Sequence, residues 1–126
     1  MVYQKNLKIK KGSTEPYSAP ETWKNKEING EKADIFSLGA VLFNLFIPNF
    51  AFWSARSFDL NYKLIMLNDY EKYWNTVNIK NISEEFKKLF FNMVSFKIDQ
   101  RPNLDTILND EPWLNEVRNL SQNEEN

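Results

Sequence analysis

The run from Ala33 to Ile47, Ala-Asp-Ile-Phe-Ser-Leu-Gly-Ala-Val-Leu-Phe-Asn-Leu-Phe-Ile, is the most apolar stretch of the chain, and Pro48 follows it. Proline cannot continue a helix with its hydrogen-bond ladder intact, so the run has a defined end. About fifteen residues is an ordinary helix length and too long for a typical strand. Apolar side chains stand on nearly every face, and a helix that is apolar all round belongs inside something. A buried central helix is therefore expected. Asp34 is placed at its mouth, where a carboxylate satisfies free N–H groups and is favoured by the helix dipole. The competing assignment is a membrane span, because no charge occurs from Ile35 to Ala55. Against it, Ser37, Asn44, Pro48 and Asn49 interrupt the run, and a span wants about 20 cleanly apolar residues.

The chain of 126 residues has the size of one domain, enough for a real core. Its hydrophobic content of 42% and aromatic content of 15% supply material to bury that a disordered chain would lack. A formal net charge of -1 argues against a general nucleic-acid binder, since neutralising phosphates needs a basic surplus. Neither cysteine nor histidine occurs, which removes disulfides, thiolate and imidazole metal sites, and every histidine-based triad or proton relay. The opening Met-Val-Tyr-Gln-Lys lacks the apolar core of a signal peptide. Cytoplasm or nucleus is the expected location. Gly12, Gly30 and Gly39 are too far apart to form a phosphate-cradling loop.

In chain order, residues 1–11 are polar and basic, with Lys5, Lys8, Lys10 and Lys11 clustered, and read as a solvated flexible segment. Gly12 to Glu21 holds two prolines and a glycine and is expected to be an irregular loop. Lys24 to Lys32 is a polar connection with a turn at Asn29-Gly30. After the central helix, Pro48 to Ser57 forms a loop rich in Phe50, Phe52 and Trp53. Asp59 caps a second helix whose stripe is Leu60, Leu64, Ile65 and Leu67, and Asn68-Asp69 breaks it. A short turn with Tyr70, Tyr73 and Trp74 comes next. Ser83-Glu84-Glu85 then opens a helix with a hydroxyl cap and two carboxylates in its positive first turn. Along it Phe86, Leu89, Phe90, Met93 and Val94 keep core-facing spacing. Asp99-Gln100-Arg101-Pro102 is a turn, Asn103 caps a short helix through Leu104, Ile107 and Leu108, and Pro112-Trp113-Leu114 anchors a last piece. The polar tail from Ser121 is expected to be disordered. No alternating run argues for a sheet, so the fold class is all-α.

Three pieces stand apart: Thr14-Glu15-Pro16-Tyr17-Ser18-Ala19-Pro20-Glu21, then Asp34-Ile35-Phe36-Ser37-Leu38-Gly39, then Asp99-Gln100-Arg101-Pro102 ahead of Pro112-Trp113-Leu114. In this order and spacing they resemble the C-terminal lobe of eukaryotic protein kinases, whose A-P-E signature matches Ala19-Pro20-Glu21. The resemblance covers Gly12 to Leu114. It implies the C-terminal helical subdomain of a kinase-like fold, truncated and without an N-lobe: residues 1–11 as the end of the activation segment, 12–117 as a partial kinase domain, 118–126 as a polar tail.

By the same resemblance, Ala19, Pro20 and Glu21 with Arg101 anchor the activation segment, the carboxylate and guanidinium forming a buried ion pair. Asp34 and Gly39 support the catalytic loop, Asp34 by capping its backbone N–H groups or, with that loop missing, by serving only its own helix. A mid-helix glycine costs about 1 kcal/mol against alanine, so Gly39 suggests close approach of another backbone. Thr14 matches the threonine that serine/threonine kinases place beside the catalytic aspartate, and with Glu15, Pro16, Tyr17 and Ser18 it lines a substrate pocket. Ser13 and Ser18 depart from the usual residues at their positions. Ser13 and Thr14 are also candidate phosphorylation sites facing the basic run.

Phosphoryl transfer needs a glycine loop, a charged lysine, a catalytic aspartate and magnesium ligands, which the family supplies as G-x-G-x-x-G, V-A-I-K, H-R-D and D-F-G. None is in this sequence. The resemblance therefore implies a fragment with a substrate-side platform and no ATP site, inactive alone. It binds no cofactor itself, while ATP and magnesium belong to the full-length parent. The partner is a protein or peptide substrate, with neither nucleic acid nor membrane. The alternative is a non-catalytic docking module that uses the Asp59–Leu67 helix and the aromatic loop from Phe50 to Trp53. The spacing around Tyr62-Lys63-Leu64-Ile65 looks most like the calcium/calmodulin-dependent or SNF-type branch. Missing parts of the lobe leave apolar faces exposed, so the isolated chain is expected to be marginally stable or aggregation-prone.

Overall fold

A computed structural model describes residues 15–24 and 28–125. The basic segment 1–11 and the expectations placed on Gly12, Ser13 and Thr14 lie outside the described residues. Six α-helices account for most of what is described, and among those residues there is no strand: α1 (Gly30–Phe46), α2 (Leu60–Met66), α3 (Tyr70–Val77), α4 (Glu84–Met93), α5 (Leu104–Asp110) and α6 (Pro112–Glu125). Short 3-10 turns occupy Glu15–Tyr17, Pro20–Trp23 and Ile98–Gln100. The all-α class is the one observed.

The central helix begins earlier than expected. Asn29 caps it by accepting from the Lys32 amide at 3.2 Å, so the Asn29-Gly30 pair opens a helix instead of turning the chain. Asp34 consequently sits inside α1 and not at its mouth, and it does not cap this helix. The far end is as anticipated: Phe46 is the last helical residue and Ile47 the cap, next to Pro48. Burial is one-sided. Ile35, Phe36, Gly39, Ala40 and Phe43 are buried, while Leu38, Val41, Phe46 and Leu45, the last 70% exposed, face outward. No helix among the described residues is long and apolar enough to cross a membrane.

Against the buried face of α1 lies α4, capped by Ser83, whose hydroxyl accepts from the Phe86 amide at 3.1 Å. The two helices meet at Gly39: a Cβ there would stand 2.9 Å from the Met93 Cβ and 3.2 Å from a Val94 methyl. The glycine is the condition for this approach, which offsets its conformational cost. Aromatic rings fill the space alongside, with Phe43 and Phe90 at 5.1 Å and Tyr73 and Trp74 at 5.1 Å between centroids. Buried phenols find carbonyl acceptors, Tyr62 on Val94 at 3.2 Å and Tyr73 on Ala51 at 3.1 Å, so their hydroxyls do not stand unpaired in the core.

Three expectations change. In α2 the buried side chains are Tyr62 and Ile65, and Leu60 at the start of the expected stripe is 79% exposed. The core across from this helix is aromatic, and the Tyr62 ring packs edge-on against Phe52 at 4.9 Å. The turn around Tyr70 is a helix, because Asp69 accepts from the Lys72 amide at 3.2 Å and so caps it. Helix α6 continues through Ser121 to Glu125, where a disordered tail from Ser121 is expected. Proline at its first position starts the helix, and the sequence after it holds neither glycine nor a further proline.

Candidate functional site

Residues 15–24 lie along one face of α1 and are fixed at three places. The first is α1 itself. Ser37 and Asn44 share a face of the helix, and both reach Tyr17: the Ser37 hydroxyl donates to its carbonyl at 2.6 Å, and the Asn44 amide donates to its phenol oxygen. Glu15, Pro16 and Tyr17 thereby form a ledge across the helix, partly exposed, while Ser18, Ala19 and Pro20 turn inward and are buried.

The second is an ion pair between residues 80 positions apart. Arg101 donates from both terminal nitrogens to the two Glu21 oxygens, at 2.7 and 2.8 Å. Its Nε donates to the Ser95 carbonyl at 2.9 Å and one terminal nitrogen also to the Lys32 carbonyl at 3.1 Å. Lys32 returns the contact, its ammonium donating to the Arg101 carbonyl at 2.6 Å. The Arg101 side chain is 0% and that of Glu21 10% exposed, and the Phe36 ring lies 5.1 Å below the guanidinium carbon. A buried guanidinium is tolerated where its donors are spent and a carboxylate meets it two-pronged.

The third is Arg56, which the sequence reading did not single out. It reaches back from the loop between α1 and α2 to Glu15 at 3.2 Å, and its guanidinium lies 3.5 Å above the Trp23 ring. Its signal in the sequence is isolation, because it is the only charge between Asp34 and Asp59. Asp59 organises the same loop. One oxygen caps α2 by accepting from the Asn61 and Tyr62 amides, and the other accepts from the Trp53 and Ser54 amides at 2.7 and 3.0 Å.

Glu15, Pro16, Tyr17, Ala19, Pro20, Glu21 and Arg101 are thus brought together around one face of α1, with Ser18 buried among them. The Asp34 Oδ2 is shut off from solvent with no hydrogen-bond partner among the described residues. Gly39 serves the α1–α4 contact. Burial pushes the phenol of Tyr62 well above its ordinary range; the Arg101 charge pulls the other way and Glu21 adds to the rise.

Among the described residues no three Asp, Glu, His or Cys side chains gather to hold a metal ion, and the glycines needed for a phosphate cradle are missing. What the arrangement does is hold a short stretch of irregular chain rigidly against helices, with one edge open.

The family model of the protein kinase domain matches residues 2–114. No individual curated protein matches the sequence. The helices correspond to the C-terminal helical subdomain of that fold. With its family model spanning most of the sequence and its ledge clasped by Glu21 and Arg101, the chain belongs to the protein kinase domain family.

Proposed function

We propose that this chain is the substrate-side part of a serine/threonine protein kinase catalytic domain. The ledge at Glu15, Pro16 and Tyr17 receives the polypeptide, and by the family resemblance Thr14 and Ser18 belong to the same substrate pocket. Glu21 and Arg101 hold that ledge on α1, and Asp34 supports the catalytic loop. The parts that bind ATP and magnesium belong to the parent enzyme, and the chain by itself transfers no phosphate. The observation that carries this reading is the two-pronged Glu21–Arg101 pair, since it ties the ledge to the turn before α5. Positioning of the acceptor is one of the two main sources of rate in phosphoryl transfer.

The test is to sequence the full-length transcript upstream of Met1 and assay its product. In-frame H-R-D and D-F-G codons, with transfer to serine or threonine peptides that is lost in Arg101→Ala, are expected. Transfer to tyrosine peptides alone would overturn the serine/threonine assignment. Absence of both motifs would favour the second reading, a docking module. The exposed Leu60 of α2, Leu67 at its C-terminal cap, Trp53 and Phe58 favour that alternative.

A further inference from the structure

Beside the inner clasp, between the turn Pro20–Trp23 with its cap Lys24 and the loop joining α4 to α5, lies an open cleft of about 690 Å3, within the size range of binding sites. Pro20, Phe96 and Ile98 supply its apolar lining, the last two half-buried, and Glu21 stands in the wall. Each side contributes a cation, Lys24 from the turn and Lys97 from the loop. The Lys24 ammonium lies over the Phe96 ring, 5.2 Å from its centroid, and Phe96 itself packs on the main core. Ser95 braces the loop: its hydroxyl donates to the Gln100 side-chain oxygen at 3.0 Å and accepts from the Lys97 amide at 3.2 Å. The Arg101 amide closes the next turn on the Ile98 carbonyl at 3.1 Å. Because the Glu21–Arg101 pair joins the two walls, the cleft has its shape before anything binds, which lowers the ordering cost of an occupant.

We infer that this cleft docks a segment of a partner protein that carries one large apolar side chain flanked by carboxylates. The inference stands on the cleft and needs nothing from the proposed function. Glu21 is neutralised by Arg101. Among the described lining residues, the charges left to face an occupant are Lys24 and Lys97 against Asp99, so the balance is positive. An apolar floor between two cations suits an occupant of the complementary pattern, in which a buried anchor supplies area and a charged rim supplies register and selectivity. A basic segment would bring like charges against both ammonium groups. A bare anion would pair with the lysines and leave Pro20, Phe96 and Ile98 in water. An occupant touching both walls binds only where the inner clasp is formed, so it stabilises the folded chain by mass action.

The test uses the whole chain and a blocked, fluorophore-labelled peptide of one leucine between glutamates, followed by anisotropy. Saturable binding is expected, about tenfold or more tighter than to the same peptide with lysine at each glutamate, and several-fold tighter than with alanine in place of leucine. Lys24→Glu and Lys97→Glu should each weaken the acidic peptide about tenfold and tighten the lysine peptide, a reversal that a variant failing to fold would not give. Ile98→Ser probes the floor and should weaken the acidic peptide several-fold with the helical circular dichroism unchanged. Equal affinity for the acidic and lysine peptides, or indifference to both charge reversals, would overturn the inference. So would equal binding of the leucine and alanine peptides, which would show loose attraction of anions only. The kinase assignment is read from upstream codons and phosphate transfer, so its failure and the failure of this inference are separate results.

Discussion

Arg101 and Arg56 grip the same segment, residues 15–24, in contrasting surroundings. The inner clasp is dry: the Arg101 guanidinium is spent on a carboxylate and two backbone carbonyls above the Phe36 ring. The outer clasp is wet, with Arg56 and Glu15 side chains 29% and 31% exposed and a stacking contact on Trp23. Charge alone does not distinguish them. Water does, because it screens the outer pair and supplies substitute partners that the inner one lacks. The inner clasp should therefore set geometry at a high cost of failure, and the outer one should trim the position of the ledge cheaply.

Removing the inner cation is expected to have the largest effect. Arg101→Ala should destabilise the chain by about 3–5 kcal/mol, because the Glu21 carboxylate is left buried and alone. Urea denaturation measures this, and in a double-mutant cycle Glu21→Ala should cost little more once Arg101 is gone. Additive losses would show that the two charges are not coupled.

High pH should attack the same interior. Burial is the first cause that raises the phenols of Tyr62, Tyr73 and Tyr70 above their ordinary 10.0, with the Glu84 hydrogen bond adding to it at Tyr70 and Asp59 adding at Tyr73. Above that value the unfolded chain has released protons that the folded chain still holds, so stability falls with rising pH. The contribution is complete below about pH 10 and is lost as pH climbs toward the folded values. Circular dichroism across this alkaline range should show unfolding, and Tyr73→Phe should flatten its dependence on pH. A fold indifferent to this range would contradict the burial of these phenols.

Gly39→Ala links the helix packing to the inner clasp. The added methyl meets Met93 and Val94, next to Ser95, whose carbonyl accepts from Arg101. Overpacking outweighs the helix propensity gained, for a net loss on the order of 1 kcal/mol. The smallest effect belongs outside. Arg56→Ala should cost about 1 kcal/mol, through the lost stack and ion pair together. Glu15→Gln should cost less, and that part should fade in about 1 M salt. Denaturation curves at low and high salt separate the two; an Arg56 loss equal to that of Arg101 would erase the contrast between the clasps.

Much of the helical order was legible because capping is local. Asp59, Ser83 and Asn103 each accept from amides two or three residues ahead, so a short window of sequence contains both partners. Asn29 and Asp69 act in the same way. Their sequence reads equally as a turn, because an Asx side chain serves turns and caps alike, and only the chain beyond it decides which. The Glu21–Arg101 pairing came from the family resemblance, since no local rule joins residues so distant. Arg56 escaped because neither a cap nor a motif marks it, and its partners lie in a segment more than thirty residues before it in the sequence. Leu60 was assigned to a buried stripe because its spacing permits burial, yet spacing does not say what lies opposite.

The sequence by itself determined the starts of α2, α4 and α5, the end of α1 and the all-α class, because caps, proline stops and apolar spacing act over a few residues. Only the tertiary structure decided which face of α1 is covered, that Asp34 stands inside the helix, and that two arginines, one dry and one wet, hold the ledge. Those outcomes depend on how helices meet, and side chains far apart in the chain acquire partners and dielectric surroundings only once the packing exists.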